Sequence, residues 1–220
     1  MGFAFALLPL ARRWGGDRKR VAAFLTRHLQ LFNTHPYLAG PIIGSVVRME
    51  ETQAGTEDSG REISSFKNAV MGPYAALGDS FFWGALKPLA AIFGVLFALL
   101  NLLLAPWAFL VLFNPAHLWV RGKGFAEGYR LGRDGIDFVR HLNLQLLTAR
   151  LRWVSLAGLG AIAALLSQSI PVSFLSLPVL LVTKGIFLSF LLLCYWGLKN
   201  GISQVKMLYG MFILSSVIAL

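Results

Sequence analysis

The chain has 220 residues, of which 56% are hydrophobic and only 14% charged, with a formal net charge of +10. Soluble domains of this size carry about 25% charged residues, so the deficit excludes an ordinary water-facing domain and points to a bilayer. The basic excess is no nucleic-acid footprint: six of the twenty Lys/Arg lie between Arg12 and Arg27 and seven between Arg121 and Arg152, both flanking apolar runs.

Residues 1–32 read as an N-terminal amphipathic region. In MGFAFALLPLARR the charges follow the apolar stretch, the reverse of a secretory signal. Ala6 stands where myristoylation needs Ser or Thr, so neither a cleaved leader nor a lipid anchor is expected. Between residues 17 and 32, Val21, Phe24, Leu25, His28 and Phe32 recur at helical spacing, with Arg18, Lys19, Arg20, Arg27 and Gln30 on the other faces. Such a helix lies in the headgroup region, apolar side down and cations toward anionic lipid.

Residues 33–113 contain broken segments and a first long span. FNTHPYLAGPIIGSVVRMEE (Phe32 to Glu51) and MGPYAALGDSFFWGALKP (Met71 to Pro88) are apolar enough to enter a membrane, yet Pro, Gly and polar residues punctuate both. Lipid offers no partner to a freed backbone group, so such segments belong around a cavity, the usual pointer to a transported ligand. They predict broken or re-entrant elements near 33–48 and 69–87. Asn33, Thr34 and His35 precede Pro36, which disfavours helix at His35. Their polar side chains suit the hydroxyls of a sugar, or simply a helix cap and turn. Asp79 is the only acid between Glu62 and Glu127. A lone carboxylate in a membrane segment is by default a functional candidate; the plainer alternative is a cap for a helix starting near Ser80, paired with Lys87. Glu50 and Glu51 suggest acid–base work but lead into the polar stretch Thr52 to Ser65, a predicted surface loop in which they would be solvated. Leu89 to Phe113 has no charge and is long enough to span.

Residues 114–152 form a second amphipathic segment. Phe125, Tyr129, Gly132, Ile136, Val139 and Leu146 share a stripe over 121–147, while acids and bases alternate elsewhere, as on a solvated or docking helix. Residues 153–220 add apolar runs at Trp153 to Leu166 (extendable to Ile170), Phe174 to Leu198 and Met207 to Leu220, with a turn at Ser173 to Pro178. The expected fold is therefore an all-α integral membrane protein. It has three to four transmembrane helices, broken or re-entrant segments and cytoplasmic amphipathic helices, all in one 1–220 domain. The two basic clusters place the N-terminus and 114–152 in the cytoplasm and the C-terminus outside. Cys194 is the only cysteine and reads as a small buried hydrophobe. The four histidines have no metal-ligand spacing, and no Walker loop, nucleophile elbow or dinucleotide fingerprint occurs. No metal, cofactor or catalytic residue is expected.

Four stretches carry a resemblance: GFAFALLPL (Gly2 to Leu10), HLQLFNTHPYLAGPIIG (His28 to Gly44), MGPYAALGDSFFWGALKP and LFNPAHLWVRGKGFAEGYRLG (Leu112 to Gly132). Together they resemble the IID membrane subunit of mannose/fructose/sorbose-type sugar phosphotransferase permeases, with small substitutions at Tyr74, Ala75, Ala76, Ala85 and Lys87. The resemblance implies an obligate IIC partner in the bacterial inner membrane, assembled as trimers of heterodimers. It also implies a hexose-type substrate, and phosphoryl transfer on cytoplasmic IIA and IIB rather than on this chain. Asn33, Thr34, His35, Glu50 and Asp79 are then the candidate substrate-binding residues. The 153–184 region is shorter than in typical members and the N-terminus looks trimmed. A non-transporting scaffold or sensor in a reduced phosphotransferase system is the alternative reading.

Overall fold

The computed structural model describes residues 2–14, 16–52, 57–100, 102–168, 177–203 and 205–211. Among them the chain is all helical, with no strand. It divides into two compact units, Met1–Ile162 and Ala163–Leu220.

In the first unit, α1 (Gly2–Arg12) and α2 (Arg18–Leu29) form an N-terminal pair. The Asp17 carboxylate accepts the Arg20 N–H at 3.0 Å and caps α2, whose Phe24 and His28 turn inward. The chain between α2 and α3 (Ala39–Thr52) is extended and then turned, as Pro36 requires. Helix α4 (Glu57–Gly78) passes without a break into a π-helical segment, Asp79–Leu86, and on into α5 (Lys87–Leu99). The punctuation of 69–87 thus takes the form of a change of helical register, not an interruption. The Lys87 N–H reaches back five residues to Phe82 O. Pro88, with no N–H to donate, follows directly, so the wider turn forfeits little bonding.

Three sequence expectations need correction. Residues 57–65 are the first turns of α4 rather than a surface loop. Asp58 stands in the first turn of α4, where an acid favours helix although the composition looks loop-like. Leu89 to Phe113 is not one span: α5 ends at Leu99 and α6 (Ala105–Leu131) starts a new helix, with Pro106 in its first turn, where a missing N–H costs nothing. Residues 121–147 are likewise not one helix. Gly132, at φ +62°, ends α6 and leads into a 3₁₀ turn (Gly132–Ile136), a short α7 (Asp137–His141) and α8 (Leu144–Gln168).

Two helical runs, Asp58–Leu99 and Ala105–Leu166, contain stretches long and apolar enough to cross a bilayer. The core joins Leu7 of α1, Phe24 of α2, Ile42 and Val46 of α3, Ile63 of α4, Phe82 of the π segment and Val139 of α7. Tyr74 on α4 donates its hydroxyl to Ile136 O at 2.7 Å and pins the 3₁₀ turn. Helices α3 and α6 pack most closely, glycine to glycine. A methyl on Gly44 would strike Phe125 O, and one on Gly128 would strike Pro41 O. In the second unit, α9 (Leu177–Lys199) covers most of the predicted Phe174 to Leu198 run. Most of the Ser173 to Pro178 turn and of the Met207 to Leu220 run lies outside the described residues.

Candidate functional site

His35, brought in by the extended 31–35 segment, is buried to 2% exposure. Its ring stacks on Phe82 at 5.2 Å and 13°, with Tyr37 and Trp83 edge-on. Gly78 makes the room, since a Cβ there would fall on the His35 Cβ and Cγ. The Tyr37 N–H donates to His35 Nδ1 at 3.3 Å, so the neutral ring carries its proton on Nε2. That atom is buried, has no hydrogen-bond partner among the described residues, and lies 4.0 Å from Asp79 Oδ1. The buried hydroxyl of Thr34 is also unpartnered, whereas Asn33 is exposed.

Asp79 opens the π segment and its side chain is 69% exposed. It caps no helix, because α4 runs straight through it. Lys87 sits 4.5 Å over the Trp83 ring instead of pairing with the carboxylate. Tyr37 is in turn stacked on His117 at 4.4 Å, with His117 Nε2 3.0 Å from Asn114 Oδ1. The His35 N–H donor and the Asp79 carboxylate thus lie 4.0 Å apart, beside the Trp83 indole. Tyr37, Trp83, Asn114 and His117 were not among the sequence candidates; the sole signal for them is aromatic and polar residues inside three of the stretches that carry the resemblance.

Glu50 belongs elsewhere. Far from being solvated, it is 5% exposed and accepts Arg27 Nε at 2.9 Å and Nη2 at 3.0 Å, with His28 Nε2 2.9 Å away. Lys67 Nζ donates to Arg27 O at 3.0 Å and lies 3.4 Å from His28 Nδ1. This node ties α2, α3 and α4 together. Glu51 is held by Arg13 and the Tyr129 hydroxyl, each at 2.8 Å. The sequence could not show this, because Arg27 and Glu50 meet only through the turn between α2 and α3.

Burial pushes the His28 imidazole below its ordinary 6.5. Burial alone would raise the Glu50 carboxyl, but the His28 hydrogen bond and the Arg27 charge outweigh it and hold it below the usual range. Both folded values lie under their unfolded ones, so acid is taken up first by the unfolded chain. The stability that His28 and Glu50 contribute should be fully present above 6.5 and fall as pH drops below it, first through His28 and then through Glu50. Glu50→Gln should cost about 3 kcal/mol by leaving Arg27 unpaired, and should flatten the acid limb of a melting-temperature profile in detergent. An unchanged profile would remove the node from the stability account.

The fold and this polar constellation define an all-α integral membrane protein. Over residues 1–220 the sequence matches the family described as PTS system mannose/fructose/sorbose family IID component, and the chain belongs to that family. It is 35% identical over 170 residues to the PTS system mannose-specific EIID component of Escherichia coli K12, covering 76% of this chain and 59% of that protein. It is 30% identical over 237 residues to the fructose permease IID component of Bacillus subtilis 168, covering 97% of this chain and 84% of that one. The fold is similar, at a TM-score of 0.56 and 27% identity, to a chain in the cryo-EM structure of the mannose transporter ManYZ with microcin E492, over 98% of this chain and 85% of that one. The chain thus spans under two-thirds of the length of the E. coli relative.

Proposed function

We propose that this chain is the IID membrane subunit that, with a IIC subunit, moves a hexose-type sugar across the bacterial cytoplasmic membrane as IIB phosphorylates it. The observation that carries the reading is Asp79. A carboxylate with 69% of its side chain exposed, on an apolar helical run, cannot face hydrocarbon. It faces a partner protein or a watered path, and the buried His35 Nε2 4.0 Å from it has no hydrogen-bond partner among the described residues. The names of the relatives, mannose-specific and fructose permease components, support a hexose.

In this reading Asp79, His35 and Thr34 line the IIC-facing side of the path, with Asn33 at its rim, while Glu50 keeps α2 and α3 in place. Phosphoryl transfer occurs on IIA and IIB. The basic α2 faces the cytoplasm, where positive residues accumulate beside membrane segments. The test is phosphoenolpyruvate-dependent sugar uptake in membrane vesicles. Deleting this chain while IIC, IIB and IIA remain should abolish uptake. Uptake unchanged by the deletion would sink the proposal.

A further inference from the structure

Between α2 and the first turns of α4 lies a cavity of about 950 Å³ that the transport reading does not use. Its volume is at the upper end of small-ligand sites, roughly 300–1,000 Å³. Three arginines line it: Arg20, Arg27 and Arg61. The two acids in its wall are already engaged, Asp17 by the α2 N-terminus and Glu50 by Arg27 and His28. Among the described residues Arg61 has no carboxylate partner, and Arg20, whose Cζ sits 4.0 Å from the Trp14 ring centroid, makes no side-chain hydrogen bond or ion pair. Arg27 is held tightly in the wall, where a Cβ on Gly60 would come within 2.8 Å of its Nη1.

The geometry points to a phosphate-binding site in this cavity. Donors exceed free acceptors, and guanidinium forks match phosphate oxygens bidentately, which ammonium groups do not. The phosphate could belong to a soluble phosphomonoester or to the headgroup of an anionic phospholipid. The basic, amphipathic α2 forms one wall, and helices of that kind lie at headgroup depth, so both sources would reach the same cations. The site is argued from its lining alone and stands whether or not the chain transports sugar.

Two arms separate the sources, both on the full chain in nanodiscs. In the first, discs of pure phosphatidylcholine are titrated calorimetrically with mannose 6-phosphate. In the second, discs of phosphatidylcholine with phosphatidylglycerol are examined by native mass spectrometry for retained phosphatidylglycerol. Binding in the first arm assigns a soluble ester, and retention in the second a lipid headgroup. In whichever arm binding occurs, Arg61→Gln should weaken it about tenfold, the loss of one charge-assisted contact, while Arg61→Lys should lose less. Arg20→Gln is the second variant should Arg61→Gln fail to fold. No binding in either arm, or binding that both Gln variants leave unchanged, overturns the site.

Discussion

Gly128→Ala should cost the protein about 3 kcal/mol or more of stability, at the severe end of what overpacking does. The added methyl would meet Pro41 O, Pro41 C at 3.0 Å and Ser45 N at 2.9 Å, all backbone atoms. No rotamer change relieves such a contact, so α3 and α6 would have to move apart. Gly44→Ala should behave alike, since its methyl would meet Phe125 O and, at 2.8 Å, Tyr129 N. Close backbone approach through small residues is the main source of helix association where lipid cancels the hydrophobic drive. Gly122→Ala, on the same helix with nothing within 4 Å of the added methyl, is the control and should be neutral or slightly stabilising. Melting temperatures of the three variants in one detergent decide the matter. A Gly128→Ala protein as stable as Gly122→Ala would mean that α3 and α6 do not pack as closely as described.

The same contact shows what the sequence makes legible. Gly40 and Gly44, and again Gly124 and Gly128, are each spaced four apart, so the pattern is written in the chain. Their facing each other is not, because nothing local links α3 to α6. Helicity and membrane character were legible for the same reason that composition is: charge deficit and apolar run length need no tertiary information. Pro36 correctly marked a non-helical stretch, because a proline restricts its own neighbours. Proline failed as a guide at Pro73, which α4 carries within it, and at Pro88, where a register change absorbs the missing donor. The Leu89 to Phe113 run misled because hydropathy measures lipid preference and is blind to a turn made of apolar residues. Leu102 and Leu103 sit in that turn and look like span. At the candidate site, His35 and Asp79 were each visible as polar residues out of place. Their approach to 4.0 Å depends on Gly78 accepting the imidazole, a long-range fit no spacing rule encodes. Glu50 was misread for the converse reason, its burial being created by partners from α2.

Asp79→Asn should cut phosphoenolpyruvate-dependent sugar uptake about tenfold or more, the loss of one charge-assisted hydrogen bond, while leaving expression and assembly with IIC intact. Asparagine keeps the shape and one acceptor oxygen of aspartate, so the change removes the charge and turns the other oxygen into a donor NH₂. The folded chain should tolerate this. Asp79 caps no helix, and among the described residues its one ionic neighbour is His35 Nε2 at 4.0 Å, so little stability rests on it. A fall in uptake with unchanged melting temperature would therefore place the carboxylate on the ligand or the path. Gly78→Ala extends the test without touching a polar group, because its methyl would displace the His35 ring and with it the Nε2 donor. If the pair acts together, Gly78→Ala should also depress uptake, and combining it with Asp79→Asn should add little, as expected for residues serving one interaction. Normal uptake in Asp79→Asn alongside reduced uptake in Gly78→Ala would strike the carboxylate from the site and leave His35 and Thr34 as its polar groups. Normal uptake in both would move the sugar path away from the π segment altogether.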